Sequence, residues 1–281
     1  MVIVVASGKG GTGKTTVATN LAASSAEHQP VQFLDLDVEE PNAHVFLKPE
    51  ISERTEVYTQ VPSVDYGLCN LCGLCGDVCA FNALVPLTEE ILFFPELCHS
   101  CGVCSYFCPT KAISEVEREV GVIEGAEIDN IVFAQGKLHI GEVAAPTVIQ
   151  ALKHRIMKNR LVIMDAPPGT SCSVVEAVRG ADFCLLVTEP TPFGLSDLKL
   201  MVDLVGQLEI PAGIIINRYR EGWDRIDCYA EERGIPVLMR IPFDREIAFC
   251  YAEGRLFTRS LPRYAGMFAG LVGKIEGLVI R

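Results

Sequence analysis

The sequence lacks three features, and each absence excludes a class of protein. Basic residues are few: 24 Lys and Arg face 36 Asp and Glu, so the net charge is −12. So acidic a chain repels a phosphodiester backbone, and we expect no nucleic-acid partner. No apolar run approaches the roughly 18 residues that a membrane span requires, and no basic leader precedes the first apolar run. We therefore expect a cytoplasmic protein with no membrane partner.

The composition that is present is that of a globular protein rich in cysteine. Hydrophobic residues make up 49% of the 281 positions and charged residues 21%, which excludes a disordered chain. The length allows one large α/β domain or two smaller ones. Because a reducing cytoplasm keeps thiols from forming disulfides, the 12 cysteines indicate metal binding or reactivity.

The first motif is a glycine-rich loop between an apolar run and a helical pattern. Residues 8–15 match the P-loop pattern G-x-x-x-x-G-K-[ST] at every fixed position, between a predicted strand at 2–6 and a predicted helix at 17–26. Backbone N–H groups of such a loop converge on phosphate, while Lys14 reaches the β- and γ-phosphates and Thr15 is placed for Mg²⁺. The alternative is a glycine-rich turn that binds nothing.

Two further apolar runs end in aspartate. Residues 31–37 predict a buried strand that ends in Asp35 and Asp37, at the sheet edge where the glycine-rich loop also emerges. Residues 161–165 predict a second buried strand ending in Asp165, the Walker B arrangement in which the carboxylate holds Mg²⁺ through water. The alternative is that these carboxylates merely end core strands.

Eight cysteines form an internal repeat. The pattern C-x2-C-x2-C-x3-C occurs at residues 69–79 and 98–108, offset by 29 residues. Three closely spaced thiolates hold three irons of a cubane, and the fourth cysteine of each run ligates the other cluster. The alternative is structural zinc, which usually takes pairs of C-x2-C knuckles. We predict two [4Fe–4S] clusters, the first held by Cys69, Cys72, Cys75 and Cys108, and the second by Cys79, Cys98, Cys101 and Cys104.

The second half of the chain alternates strands with helices. Strand patterns at 181–189, 212–217 and 237–241 are each followed by a helical pattern, and a helix is predicted at 147–158. Such alternation predicts an α/β fold with a mostly parallel, doubly wound sheet.

Three segments fit this pattern less clearly. Residues 114–142 predict a small β element that leads back to the main sheet, and residues 51–66 carry no clear pattern. A helical apolar stripe at 263–279 predicts a helix packed on the core.

The loop and strand motifs resemble those of the MinD, ParA, Mrp and nitrogenase iron protein group of P-loop ATPases. The early Lys9 matches the deviant Walker A loop of that group, and D-A-P-P-G-T at 165–170 resembles Mrp-type ATPases. The resemblance implies that Lys9 reaches a partner's nucleotide across a dimer interface. It also implies that Asp37 orients the attacking water near Mg²⁺ and that the Gly169 amide senses the γ-phosphate.

The same resemblance completes a predicted ATP site. Asn217 and the backbone after Pro242 are expected at the adenine, and Lys9, Lys14, Asp37 and Asp165 are the expected catalytic residues, with Mg²⁺ near Thr15, Asp37 and Asp165. The loop residues predicted to bind ATP are Gly8, Lys9, Gly10, Gly11, Thr12, Gly13, Lys14, Thr15 and Thr16.

The cysteine repeat resembles a bacterial two-cluster ferredoxin, except that Ala80 stands where the repeat has proline. The two resemblances imply a discontinuous P-loop ATPase domain at residues 1–62 and 114–281, carrying a small α+β ferredoxin-like insert at residues 63–113. Cys172 lies at a spacing from the Walker B aspartate that is used by a cluster ligand in the nitrogenase iron protein. It has no evident second ligand, so we expect a small buried residue there.

Three functions are compatible with these motifs. We favour an ATP-hydrolysing dimer that couples its nucleotide switch to electron transfer, through two [4Fe–4S] clusters, to a redox or metalloprotein partner, because stably ligated clusters carry electrons. The second function is an ATPase that assembles or carries iron–sulfur or other metalloclusters. The third is a MinD- or ParA-like positioning ATPase with redox-sensing clusters. The dimer is expected between identical chains or with a paralogous ATPase, and the expected cofactors are ATP, Mg²⁺ and the two clusters.

Overall fold

A computed structural model describes residues 1–279. Residues 280 and 281, the end of the predicted second ATPase segment, lie outside the described residues. The structure contains a nine-stranded sheet with apolar cores on both of its faces and a separate two-stranded sheet. The strands are β1 Val2–Ala6, β2 Val31–Asp35, β3 Glu53–Val64, β4 Leu84–Pro86, β5 Ile91–Phe93, β6 Ile113–Ile128, β7 Ile131–Leu138, β8 Leu161–Asp165, β9 Phe183–Thr188, β10 Ala212–Tyr219 and β11 Val237–Pro242.

Helices connect most of the parallel strands. Among the described residues, no helix is long and apolar enough to cross a bilayer. The helices are α1 Lys14–Ala26, α2 Ala43–Leu47, α3 Leu74–Asp77, α4 Val103–Phe107, α5 Ala145–Lys153, α6 Cys172–Val178, α7 Pro192–Gln207, α8 Arg225–Arg233, α9 Arg245–Ala252, α10 Phe257–Ser260 and α11 Leu271–Val279, with short 3-10 turns at Pro95–Leu97 and Pro262–Tyr264.

The large sheet confirms the predicted mostly parallel α/β architecture. Its strand order is β11-β10-β9-β1-β8-β2-β7-β6-β3, and every pair from β11 to β7 is parallel. Successive side chains of a strand face opposite sides of a sheet. Accordingly, Ile3 and Val5 of β1 pack in one core with α1, while Val4 packs in the other core with α7, and all three are fully buried. Helices on both faces explain why the central strands are apolar throughout.

Two long antiparallel strands extend one side of this sheet. Leu138, at the end of β7, pairs with Gly121 of β6, so the first part of β6 runs beyond the carboxyl ends of the parallel strands. There it pairs only with β3, from Tyr58 opposite Glu119 to Val64 opposite Ile113. We call this two-stranded extension, residues 58–64 and 113–119, the ribbon. Seven residues per strand give it a length of about 20–25 Å.

The cysteine-rich segment, residues 65–112, lies between the two strands of the ribbon. It contains α3, α4 and the small sheet of β4 and β5, and its residues Cys75, Leu84 and Ile91 form a small core with Ile113 of the ribbon. The ribbon therefore joins this segment to the large sheet.

The structure corrects three sequence-based expectations. The patternless stretch at 51–66 contains β3, an edge strand whose exposed first residues show no alternation and whose edge position accommodates Pro62. The β element predicted at 114–142 is longer than expected, and β7 belongs to the large parallel sheet. The helix predicted over 263–279 is continuous only in α11, because the chain turns at residues 265–270, where Gly270 has φ +74°. Its predicted packing is confirmed, since Leu271 and Ile275 are buried in the core.

Candidate functional site

The polar site is built where β1, β8 and β2 end side by side. Met164 of β8 pairs with Val4 of β1 and with Leu34 of β2, so Asp165 and Asp35 are neighbours and the glycine-rich loop leaves β1 beside them. Carboxyl ends of parallel strands are the usual ligand edge of an open α/β sheet. The parallel topology thus assembles residues that lie about 150 positions apart in the sequence.

Two glycines of the loop meet specific spatial demands. Gly13 has φ +90° as it leads into α1, a left-handed conformation that strains a residue with a Cβ atom. A Cβ atom on Gly8 would overlap the backbone carbonyl of Asp197 in α7. The loop is therefore held tightly between the start of α1 and the start of α7.

Lys14 and Thr15 point back at the Walker B carboxylate. Lys14 Nζ lies 2.7 Å from Asp165 Oδ1, and Thr15 Oγ1 donates a 2.6 Å hydrogen bond to Asp165 Oδ2. Asp37 Oδ2 lies 3.6 Å from the same Lys14 ammonium. Burial lowers the pKa of Lys14, but Asp165 and Asp37 outweigh burial and raise it, so the ammonium remains charged.

Asp35 organises the segment that carries Asp37. Its side chain accepts hydrogen bonds from the backbone N–H groups of Asp37, Asn42 and Ala43, at 3.1, 3.1 and 3.0 Å. Burial and the neighbouring Asp165 raise the pKa of Asp35 to about 7. Burial likewise raises the pKa of Asp37 to about 6, against the opposing charge of Lys14. The two carboxyls thus titrate well above free aspartate.

The donor set fits a magnesium nucleotide. Asp165 and Asp37 contact the Lys14 ammonium and the charge of Asp35 also acts on it, so the deprotonated site has an excess of negative charge that a divalent cation can neutralise. Thr12 Oγ1 is buried in the loop without a hydrogen-bond partner among the described residues, and a nucleotide phosphate oxygen would accept from it.

Lys9 lies apart from this cluster. Its Nζ pairs with Glu189 Oε1 of the same chain at 2.7 Å, and Arg218 Nη1 lies 3.1 Å from the other carboxylate oxygen. Sequence reasoning missed Glu189 and Arg218, because both belong to strand ends without a local motif. Only the strand order, which places β9 between β1 and β10, reveals this arrangement.

The remaining residues that were predicted to bind nucleotide also lie at the ends of strands or in loops at this edge of the sheet. Gly169 has φ +92°, and its N–H donates to Ser7 O at 3.0 Å. Asn217 Nδ2 donates to Thr12 O at 2.7 Å and so braces the glycine-rich loop, and Pro242 ends β11. The predicted contacts of Gly169 with phosphate and of Asn217 and Pro242 with adenine stay predictions.

The last loop residue, Thr16, is buried in α1, where its carbonyl accepts hydrogen bonds from Thr19 and Asn20. Gly10 and Gly11 face open space, since a Cβ atom on either would meet no atom within 4 Å. The open side of the loop is therefore where a phosphate chain has room to bind.

One of the two predicted cysteine sets combines thiols from both copies of the motif. One pocket is lined by Cys79, Cys98, Cys101 and Cys104, which come from both copies of the motif. Burial raises the pKa of Cys98, and the neighbouring thiols Cys101 and Cys79 raise it further. In the other set, the pKa of Cys75 is raised by burial and by Cys69 and Cys72. The fourth cysteine of the first motif therefore lies with the second motif.

The two motifs have the same local structure. Leu71 and Ser100, 29 residues apart, both have positive φ, and their N–H groups lie 3.5 Å from the Sγ atoms of Cys69 and Cys98. The same offset relates two long-range backbone hydrogen bonds at 2.8 Å, Asp65 N to Ala112 O and Phe94 N to Ala83 O. The segment therefore has an approximate internal twofold repeat, as the sequence repeat implies.

The fourth cysteines are surrounded by backbone donors. Ala83 N donates to Cys79 Sγ and Ala112 N to Cys108 Sγ, both at 3.3 Å. Burial opposes the charge of both thiolates, but backbone hydrogen bonds outweigh it and lower each pKa, helped at Cys108 by the Thr110 hydroxyl. Hydrogen bonds to sulfur stabilise a thiolate, the form that ligates metal.

The described thiols and carboxylates do not form a site for a single metal ion. Across residues 1–279, no three or more His, Cys, Asp or Glu side chains lie close enough together to hold a single metal ion. In a [4Fe–4S] cluster each thiolate ligates its own iron, so the four sulfurs of a set do not share one ion.

The other cysteines do not join these sets. Cys184 and Cys250 are buried in the two cores, and Cys228 is exposed in α8. Cys172 was expected to be buried, and this is wrong: it is exposed at the start of α6, since the chain leaves the β8 edge there along the protein surface.

We call the sheet edge at the ends of β1, β8 and β2, where Asp35, Asp37 and Asp165 lie, the aspartate edge. Backbone hydrogen bonds link this edge to the ribbon. Val38, next to Asp37, accepts a 2.8 Å bond from Leu138 N at the end of β7. The backbone N–H of the following residue, His139, donates a 2.9 Å bond to the carbonyl of Val120, the residue next to the ribbon. Val38 also packs closely on Gly136, leaving no room for a Cβ atom there. The loop that carries Asp37 is thus attached to the base of the ribbon.

A family model described as the CobQ/CobB/MinD/ParA nucleotide-binding domain matches residues 3–257. An uncharacterised protein of Methanocaldococcus jannaschii is 33% identical over 262 residues, which cover 92% of either chain. An iron-sulfur cluster carrier protein of Aquifex aeolicus is 25% identical over 285 residues, covering 93% of this chain and 62% of the carrier.

The fold is also similar to a solved structure. The septum site-determining protein MinD of Pyrococcus horikoshii, complexed with Mg-ADP, aligns with a TM-score of 0.59 and 21% identity over 98% of this chain and 95% of that one. At this identity the likeness shows the fold alone.

Proposed function

The chain belongs to the CobQ/CobB/MinD/ParA family of nucleotide-binding proteins and is a P-loop ATPase of the MinD/ParA type, and we propose that its nucleotide switch controls electron transfer through two [4Fe–4S] clusters. The cysteine-rich segment would hold the clusters, and a redox or metalloprotein partner would exchange the electrons. The observation that carries the proposal is the attachment of the Asp37 loop to the ribbon that bears this segment.

We assign the nucleotide roles from the geometry at the β1, β8 and β2 ends. Lys14, now paired with Asp165, would bind the β- and γ-phosphates, and Thr15 and Asp165 would hold Mg²⁺. Asp37 orients the attacking water from its position 3.6 Å from the Lys14 ammonium. Bound Mg²⁺ supplies charge neutralisation to the phosphates.

We further propose that residues 63–113 form a two-cluster ferredoxin-like insert in an ATPase domain of residues 1–62 and 114–281. Strand β3 ends at Val64 and β6 begins at Ile113, so both boundaries coincide with the far end of the ribbon. The approximate twofold repeat of loops and hydrogen bonds supports one cluster site per half. Bound clusters would supply one-electron redox chemistry.

The cysteine sets fit that role by their environment. Backbone N–H groups donate to Cys69, Cys79, Cys98 and Cys108, which stabilises thiolates and fixes their orientation. Phe81 stacks on His99 with ring centroids 3.7 Å apart at the pocket of the second set. These rings add an apolar wall to the pocket, next to which a bound group would pack.

The ribbon also forms part of the pocket of the second cysteine set. Gln60 and Pro62 from β3 and Glu115 from β6 line the pocket of the second set, and Thr59 Oγ1 donates to Ser100 Oγ at 2.7 Å. A displacement of the ribbon base would therefore move the second set with it. We propose that ATP hydrolysis changes the contacts of the Asp37 loop, which would give the switch a direct mechanical route to this pocket.

We propose that ATP also drives dimerisation, between identical chains or with a paralogous ATPase, with Lys9 completing the partner's site. The position of Lys9 in the loop supports this proposal. Lys14 contacts Asp37 and Asp165, whereas Lys9 contacts neither, and the side chain of Lys9 is 33% exposed. A partly exposed lysine so placed can reach a second subunit if its pair with Glu189 opens.

A second candidate function is delivery of iron–sulfur clusters to other proteins. The Aquifex relative is named an iron-sulfur cluster carrier protein. In both predicted sets one ligand is exposed, Cys72 in the first and Cys101 in the second. An acceptor's thiols could attack a cluster at these positions, which a carrier requires.

One experiment separates the two functions. Anaerobically purified protein should contain about eight irons and eight sulfides per chain. It is mixed with MgATP and a defined apo-ferredoxin, and iron in the reisolated acceptor is measured. Electron transfer predicts that iron stays with the chain, whereas delivery predicts ATP-dependent appearance of iron in the acceptor. The control variant is Cys228→Ala, because Cys228 is an exposed cysteine that belongs to neither set. An iron-free chain would contradict both functions.

A further inference from the structure

The ion pair of Lys9 is part of a three-residue arrangement that the nucleotide chemistry does not use. Glu189, just after β9, binds Lys9 Nζ with one carboxylate oxygen at 2.7 Å and Arg218 Nη1 with the other at 3.1 Å. The Glu189 side chain is 15% exposed, while those of Lys9 and Arg218 are 33% and 53% exposed. A mostly buried carboxylate thus holds two cations that both reach solvent.

We propose that Glu189 is a positioning residue that holds Lys9 within its own subunit until a nucleotide-loaded second subunit competes for it. This inference rests on the proposed function, in which Lys9 completes the partner's site. Glu189 then acts on ATP hydrolysis only through Lys9, and it sets how readily two chains associate.

The arrangement allows Lys9 to leave at low cost. A buried carboxylate that loses its only cation is strongly destabilised. Glu189 would keep Arg218 on its second oxygen, so its charge stays compensated when Lys9 departs. Burial raises the pKa of Glu189, but the hydrogen bond and charge of Lys9 and the charge of Arg218 outweigh it and lower the pKa. The carboxylate is therefore ionised near neutral pH.

Only the side chain of Lys9 has to move. Its backbone carbonyl accepts a 2.8 Å hydrogen bond from Ser7 Oγ, which anchors the loop at this position. Gly8 is packed against Asp197, whereas the space beside Gly10 is open. A rotation of the lysine side chain away from β9 is thus compatible with a fixed loop backbone.

A nucleoside triphosphate carries several negative charges. It therefore competes for Lys9 more strongly than the single carboxylate of Glu189, which Arg218 already shares. That competitor arrives only when a second subunit presents it. Each dimer breaks two Lys9–Glu189 ion pairs, one in each chain. A factor that changes the equilibrium of one pair therefore enters the dimerisation constant squared.

The test measures dimerisation by analytical ultracentrifugation with Mg²⁺ and a non-hydrolysable ATP analogue. Glu189→Gln keeps the shape of the side chain and removes its charge. A partly exposed ion pair is worth about a two- to fivefold change in an equilibrium constant, so we expect dimerisation about 4- to 25-fold tighter than in the parent. Arg218→Gln should have the opposite effect, since Glu189 then binds Lys9 without a competing cation.

Two controls make the result specific. Binding of the analogue to the monomer should be unchanged in Glu189→Gln. On a Lys9→Ala background, Glu189→Gln should have no further effect on dimerisation, because the two residues act as one unit. An equal effect on that background would overturn the inference, since Glu189 would then act without Lys9.

The failures of the inference and of the proposed function are distinguishable. If Lys9→Ala abolishes dimerisation but Glu189→Gln and Arg218→Gln both dimerise like the parent, the inference is wrong and the proposed dimer stands. If Lys9→Ala dimerises like the parent, the proposed role of Lys9 is wrong and the inference fails with it.

Discussion

The aspartate edge and the cysteine-rich segment differ in what holds their functional groups in place. At the edge, Lys14 is 6% exposed and Asp35 and Asp165 are fully buried, between two large apolar cores. The cysteine-rich segment has only a small core, and five of its eight cysteines are partly exposed and two are exposed. Packing thus positions the edge residues before any ligand binds, whereas little packing holds the thiols of the segment in place.

This comparison implies that the two regions can be disabled separately. The largest expected effect is on hydrolysis: Lys14→Ala should lower the ATPase rate by about 100- to 1000-fold, because it removes a buried cation at the phosphates. The iron content of the purified chain should stay that of the parent. Steady-state phosphate release and iron analysis measure the two quantities, with the exposed Lys274→Ala as the matched lysine control. A parallel loss of iron would contradict the separation.

The next prediction concerns the cysteine-rich segment alone. The double variant Cys79→Ser with Cys98→Ser removes two ligands of the same predicted set, so about four irons per chain should remain. If Cys79 instead belonged with the first motif, the variant would lose both clusters and nearly all iron. Iron analysis of anaerobically purified protein decides between these outcomes, and nucleotide binding should be unaffected in either case.

These two regions also differ in how they could be predicted. The glycine-rich loop and the cysteine repeat are local in sequence, so their candidate ligands could be named from the sequence alone. The pairing of Lys9 with Glu189 was missed, because 180 positions separate the two residues and only the strand order brings them together. Strand β3 was missed because its first four residues are all exposed and show no alternation. Cys172 was misplaced because spacing gives no information on exposure.

A third prediction tests the junction between the regions. A Cβ atom at Gly136 would lie 2.7–2.8 Å from atoms of Val38, Val148 and Leu152, so Gly136→Ala should destabilise the protein by about 1–3 kcal/mol. A Cβ atom at Gly206 in α7 would meet no atom within 4 Å, so Gly206→Ala should instead stabilise the protein by about 0.5–1 kcal/mol. Chemical denaturation measures both, and equal effects of the two substitutions would contradict the close packing at the junction.

The smallest effect is a pH dependence of the nucleotide-free, Mg²⁺-free protein. Because burial raises the pKa of Asp37 to about 6, the folded state binds its proton more tightly than the unfolded state does. This contribution to stability is present below about pH 4 and is lost as the pH rises through about 6. Relative to Asp37→Asn, the parent should lose on the order of 1–2 kcal/mol between pH 4 and 7, after solvent screening. A difference independent of pH, measured by denaturation, would show that Asp37 is not perturbed.

The central claim is that the nucleotide state at the aspartate edge is transmitted to the clusters of the cysteine-rich segment. The most direct measurement is an anaerobic, EPR-monitored redox titration of the holoprotein without nucleotide, with MgADP and with a non-hydrolysable ATP analogue. We predict that the midpoint potential of at least one cluster differs between the ADP and analogue states, and that Lys14→Ala abolishes this difference. Identical midpoint potentials in all three states would contradict the account.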